Sequence, residues 1–190
     1  LQLTPDDDAP SRVDLLELEP LDEAGVEAEL RGVVAPRSGP RDDMEPLRIS
    51  IAGAQEKTAL TRHAGRWCRP RGTTPSTHIF KLPLGLVGHR QADMRTSVEN
   101  EWLCAELLRE FGLPVAVCEI ARFGSEKVLV VERFDRRFVA AGYWVRLPQE
   151  DFCQATGTPA VHKYEADGGP SLLAIARILQ NSERRNEDLR

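Results

Sequence analysis

Paired cysteines are missing from this sequence. Cys68, Cys104, Cys118 and Cys153 stand far apart, with no CxxC pair and no histidine at ligand spacing, which excludes the common zinc modules and a disulfide framework. Reduced thiols, as a cytoplasm keeps them, are the simplest account. No apolar run approaches the roughly 18 residues of a membrane span, and no basic-then-apolar leader opens the chain. The reading is a soluble, cytoplasmic chain with no membrane partner. Excess positive charge is missing too: 25 Lys and Arg against 30 Asp and Glu give a formal net charge of -5. An autonomous nucleic-acid binder needs a basic face, so any DNA contact is expected only through a partner. Internal repeats and low-complexity stretches are absent. The chain also lacks an initiating Met, and it ends in the charged run Asp188-Leu189-Arg190 without a Gly or Pro stop signal, so a fragment is expected.

What is present suits an α+β domain. The 190 residues are 41% hydrophobic, enough for one core or for a small lobe plus part of a second. An acidic turn at Asp6-Asp7-Asp8 precedes an expected strand over 13–18. Asp22 then resembles an N-cap, Val26 and Leu30 share a helical face, and Gly32 suits the helix end. Residues 36–46, with three prolines, one glycine and five charges, mark a linker. Strands are expected over 48–51, 57–61, 66–68 and 78–82, forming a small antiparallel sheet. The spacing of Val98, Trp102, Ala105 and Leu108 predicts a helix over 96–111 that packs on this sheet, stopped by Gly112 and Pro114. Two more strands, over 115–122 and 128–134, flank the turn Gly124-Ser125. A segment over 143–147, a short helix from Pro148, a Gly-Gly-Pro loop and a last helix from Ser171 follow.

Three stretches carry candidate chemistry. In Ser50-Ile51-Ala52-Gly53-Ala54-Gln55-Glu56-Lys57-Thr58, small residues let backbone N–H groups approach an anion, and Lys57 supplies a point charge, so the segment suits phosphate binding. Taken alone, it equally describes a β-turn with a surface lysine, and it is neither a Walker A loop nor the Gly-rich loop of ordinary protein kinases. Lys81 ends the strand His78-Ile79-Phe80-Lys81 and is followed by a helix carrying Glu99 and Glu101. A kinase needs such a strand lysine, steadied by a helix carboxylate, although a snorkelling lysine and solvated glutamates give the same pattern. The run Val128-Leu129-Val130-Val131 breaks into Glu132-Arg133-Phe134-Asp135, as a hinge over an adenine ring would, or as any buried strand entering a turn does. The order of the three is what an ATP-binding lobe requires.

The words SIAGAQEKTAL, TPSTHIFKLP, SVENEWLCAELLREFGLPV, VLVVERFDRRF, RLPQEDFCQATG and KYEADGGPS closely resemble the successive motifs of HipA-family serine/threonine kinases, the toxin half of toxin–antitoxin pairs. The resemblance runs from about Arg48 to Ser171, and more loosely back to LQLTPD. It implies that Ala52, Gly53, Ala54, Gln55, Glu56 and Lys57 form the ATP phosphate loop, that Lys81 is the nucleotide lysine, and that Glu132, Arg133 and Phe134 form the adenine hinge. Ser50 matches the autophosphorylated serine of the family, where a phosphate would bring close to two negative charges into a place meant for nucleotide phosphates. It further implies ATP and Mg2+ as cofactors, a helix-turn-helix antitoxin of the HipB type as partner and carrier to DNA, and a protein substrate such as an aminoacyl-tRNA synthetase, with growth arrest as outcome. The implied organisation is the tail of a small N-terminal domain with a linker over 1–47, a kinase-like ATP-binding lobe over 48–141, and the beginning of a helical second lobe over 142–190.

The departure is equally specific. None of His63, His78, His89 and His162 begins an HRD-like loop, and no DFG occurs, so the catalytic and metal-binding aspartates of the family are expected beyond Arg190. This chain by itself is expected to be inactive in phosphoryl transfer. Gln149, Glu150 and Asp151 are read as first-turn helix residues rather than catalytic groups. A non-catalytic module that binds an antitoxin or a nucleotide is the alternative. A plain structural fragment would expose the apolar surface of 172–179.

Overall fold

The computed structural model describes residues 12–34, 55–87 and 91–189. The chain divides into two compact units, Leu1–Leu147 and Pro148–Arg190. The expected acidic turn at 6–8, the linker over 36–46 and the strand over 48–51 lie outside the described residues.

In the first unit, β1 (Leu18–Leu21), β2 (Lys57–His63), β3 (Arg66–Pro70), β4 (His78–Lys81), β7 (Cys118–Phe123) and β8 (Glu126–Glu132) form one six-stranded sheet. Its order is β1-β3-β2-β4-β8-β7, with every pairing antiparallel. The α1 helix (Glu23–Val34) follows β1, and α2 (Ser97–Glu110) enters between β4 and β7 after the two-residue strands β5 (Leu86–Val87) and β6 (Ala92–Asp93). A hairpin of β9 (Arg136–Phe138) and β10 (Trp144–Arg146) completes the unit.

Local chemistry accounts for these elements. Asp22 caps α1, its Oδ1 accepting the Gly25 amide at 2.8 Å. Ala64 and Gly65 take positive φ (47° and 77°) between β2 and β3, the turn geometry that matches strand twist. The expected strand over 13–18 is displaced: the strand runs over Leu18–Leu21, where β3 supplies partners from Pro70 to Trp67, and upstream Glu17 is tied on through its carbonyl, which accepts the Arg71 amide at 2.8 Å. Gly32 does not end its helix. The last turn continues to Val34, tied down by Arg31, which bonds Ser125 Oγ at 2.9 Å and pairs with Glu27 at 2.6 Å. The described part of 1–47 therefore contributes an edge strand and a packed helix to the same compact unit as the following sheet.

The core lies between α1 and one face of the sheet. Val26 and Leu30 pack with Leu60, Phe80, Leu82, Val128 and Val130. Trp67 meets Phe80 edge-on, with centroids 4.9 Å apart. Side chains alternate across a strand, so Lys81 and Lys127 point to the opposite face from Phe80 and Val128. There α2 is tied on by ion pairs of Glu101 with Lys81 and of Glu99 with Lys127. The α2 helix spans nearly the range its spacing predicts, but packs less fully than expected. Val98 is buried and Trp102 and Ala105 half-buried, while Leu103, Leu107 and Phe111, four residues apart, are exposed.

The second unit contains α3 (Phe152–Thr156), α4 (Leu172–Leu179), α5 (Arg185–Asp188) and two short 3-10 turns, Ala160–His162 and Glu165–Asp167. The helix expected from Pro148 starts later, at Phe152, because Asp151 and Gln154 form a reciprocal capping box. Asp151 is thus the N-cap of α3, and Gln149 and Glu150 precede the helix rather than filling its first turn. Ser171 caps α4, accepting the Ala174 amide at 3.1 Å. On that helix Leu172 and Leu173 are exposed. A Cβ on Gly169 would lie 2.3 Å from the His162 carbonyl oxygen, so the Gly-Gly-Pro loop needs glycine there.

Candidate nucleotide-binding site

The three stretches singled out by sequence meet on adjacent strands, as far as they are described. Lys57 opens β2 and is the direct cross-strand partner of Lys81 at the end of β4. Direct partners in an antiparallel ladder project to the same face, so the two amines share one side of the sheet. The segment entering β2 is fastened to the chain leaving β4: Gln55 Nε2 donates to the Leu82 carbonyl at 2.7 Å, and the Leu82 amide donates to the Glu56 carbonyl at 3.0 Å. Burial, then the neighbouring charge of Lys81, pushes the Lys57 amine below its ordinary value. An anionic ligand would offset both effects. Ser50, Ala52, Gly53 and Ala54 lie outside the described residues.

Lys81 is aimed by Glu101, whose carboxylate holds its Nζ. Periodicity could not separate Glu99 from Glu101. Two residues apart on a helix they diverge by about 200°, and Glu99 reaches Lys127 instead. That bond with Lys127, ahead of smaller influences, holds the Glu99 carboxyl below the usual range.

On the other side of β4 runs β8, with Lys81 opposite Leu129 and His78 opposite Glu132. Three residue steps along β4 therefore separate the lysine from the expected hinge, about 10 Å at ~3.3 Å per residue. Two of the three hinge amides are already engaged: Glu132 donates to the Val117 carbonyl at 2.8 Å, and Arg133 to the Thr77 carbonyl at 2.9 Å. Phe134, by contrast, is 78% exposed.

Sequence reasoning missed Asp135. Its side chain is 8% exposed. Arg133 grips it in a two-point fork at 3.0 and 2.9 Å, and Arg136 Nη1 approaches Oδ2 at 2.6 Å. Burial alone would raise the Asp135 carboxyl, but the Arg133 bond and the two guanidinium charges outweigh it and the net direction is down. Burial, then the charge of Arg133, lowers Arg136 to about 10. The alternation of charge in Arg133-Phe134-Asp135-Arg136 was the available signal.

Residues 49–190 match the family described as the HipA-like C-terminal domain. The chain belongs to this family. A Sinorhizobium fredii protein named "Putative kinase Y4mE" is 36% identical over 188 residues, covering 97% of this chain and 43% of that relative. The protein of Shewanella oneidensis named serine/threonine-protein kinase toxin HipA is 36% identical over 123 residues, covering 64% of this chain and 26% of its own length. A solved structure, the Shewanella oneidensis MR-1 toxin–antitoxin complex of HipA, HipB and operator DNA, matches with a TM-score of 0.60 and 28% identity, over 90% of this chain and 37% of that one. The chain thus has a mixed α/β fold with an antiparallel sheet, similar to HipA, and spans less than half the length of these relatives.

Proposed function

We propose that this HipA-family chain is the ATP-binding part of a serine/threonine protein kinase toxin, with its sheet and α2 acting as a kinase-like N-lobe. The observation that carries the reading is the cross-strand pair Lys57–Lys81, with Lys81 held by Glu101, one strand from the Glu132–Phe134 turn. Two amines on one face suit the β- and γ-phosphates. A span of about 10 Å along the ladder suits the distance from phosphates to base. Glu132, Arg133 and Phe134 would border the adenine, with exposed Phe134 covering the ring and the engaged amides of Glu132 and Arg133 fixing the turn. Ala52, Gly53, Ala54, Gln55 and Glu56 would line the phosphates, and Ser50 would be the autophosphorylated residue. The sheet with β1 and α1 packed on it, through Leu147, would form the ATP lobe, where the sequence drew its bounds at 48 and 141, and the residues from Pro148 would begin a helical lobe.

Bound ATP with Mg2+ would supply the transferable phosphoryl group. Among the described residues no cluster of three His, Cys, Asp or Glu could hold a metal ion. Mg2+ would be held by the nucleotide phosphates, and the 190 residues alone are expected not to transfer phosphate. An antitoxin of the HipB type is the proposed partner, by analogy with the complex of the Shewanella protein. The substrate is proposed to be a Ser or Thr of a translation protein such as an aminoacyl-tRNA synthetase, with growth arrest following in the cytoplasm. The test is binding of a non-hydrolysable ATP analogue with Mg2+ to wild type and Lys81→Ala. Losing a charge-assisted contact should weaken binding by about 1–3 kcal/mol. Equal affinities would remove Lys81 from the site.

A further inference from the structure

Phe134, an exposed aromatic, stands between two well-buried charged residues. The side chains of Arg133 and Asp135 are only 14% and 8% exposed, while Phe134 itself is 78% exposed and so has little packing to hold it. Its flanks are held instead. The Asp135 carboxylate takes the fork of Arg133 and the Nη1 of Arg136. Arg136 also donates from Nε to the Ser76 carbonyl at 2.9 Å and from Nη1 to the Asp135 carbonyl at 2.9 Å. That carbonyl receives the Leu147 amide at 2.9 Å as well, and the Arg133 amide bonds the Thr77 carbonyl. The two guanidinium groups thus direct their donors at Asp135 and at Ser76 in the β3–β4 connection, rather than at open space where an outside anion would bind. Burying such charges yields little net stability, because their desolvation offsets their attraction. What it does yield is one fixed course for the main chain as it leaves β8.

We infer that Asp135, Arg133 and Arg136 are positioning residues for recognition of the nucleotide base, bracing the turn that presents Phe134. The inference rests on the nucleotide reading given above. It separates two halves of one site: the lysine pair on β2 and β4 meets the phosphates, and the brace governs the base alone.

The test compares the full chain with its Asp135→Asn variant, using ADP, adenosine and inorganic tripolyphosphate as probes, with amide NMR spectra as the check on folding. Affinity for ADP and adenosine should fall tenfold or more, while affinity for tripolyphosphate stays within about twofold. A folded variant that binds adenosine like wild type, or that loses all three probes equally, overturns the positioning role. Should Asp135→Asn not fold, Arg133→Lys keeps the charge but loses the fork. The same base-selective loss is expected there, and undiminished ADP and adenosine binding would overturn the inference. Wild type that binds none of the probes would overturn the nucleotide reading itself, and this inference with it.

Discussion

Glu101 and Glu99 look interchangeable on paper and hold different lysines in space. Only the Glu101–Lys81 pair lies beside Lys57, so Glu101→Ala should weaken binding of an ATP analogue about threefold to fivefold, the scale of a partly exposed ion pair worth up to ~1 kcal/mol. Glu99→Ala releases Lys127 instead and should leave affinity within about twofold, which titration calorimetry on the two variants checks. Equal losses would mean that Lys81 is not aimed by its carboxylate. That Lys57, Lys81 and Glu132 end or open strands was legible from residue type and order, because strand ends and polar breaks announce themselves. The partner of Lys81 was not, since it depends on how α2 rotates against the sheet, and no local pattern records that angle. For Asp135 the local signal was the alternation of charge over 133–136, which does not say that the carboxylate is buried. A carboxylate after a strand reads as a solvated turn until its two guanidinium partners fold back on it.

At the scale of elements, α1 and the β7–β8 turn are mutually dependent. Glu27 accepts the Ser125 amide at 2.9 Å and its hydroxyl at 3.0 Å, and Glu23 accepts the Gly124 amide at 3.1 Å. Gly124 has φ of 56°, and a Cβ there would lie 2.2 Å from the Glu27 carboxylate. Gly124→Ala should therefore cost about 1 kcal/mol or more from backbone strain and a displaced Glu27. Leu30→Ala, at a fully buried position under the sheet, should cost about 2–5 kcal/mol. Urea unfolding measures both. Long periodic elements such as α2 were readable to within a residue, because Gly112 and Pro114 punctuate a sustained pattern. Element β1 was misplaced and β9 went unread: each is a short strand whose extent is set by the neighbour it pairs with.

Over the whole molecule, one half-buried group and one buried group, His78 and Asp135, set an acid limit on stability. Burial, ahead of the opposing charge of Glu132, holds the His78 imidazole below its ordinary value. The unfolded chain takes up that proton near pH 6.5 and the folded one resists it. The stabilising contribution is thus complete above about pH 6.5 and is lost as pH falls through the lower folded value. Asp135 has the same sign at lower pH: its carboxyl is depressed in the fold, so its contribution holds above about pH 4 and fades beneath. Urea midpoints should fall in two steps on acidification, and His78→Asn should remove the upper one. A pH-independent midpoint between 7 and 5 would contradict this.

The account depends on phosphate lysines and base hinge belonging to one ligand, and chemical-shift mapping of the backbone amides reads that directly. On titration with a non-hydrolysable ATP analogue and Mg2+, the amides of Lys57, Lys81 and Phe134 should shift together with a single saturation curve. Shifts confined to one of these strands, or centred elsewhere on the chain, would contradict it.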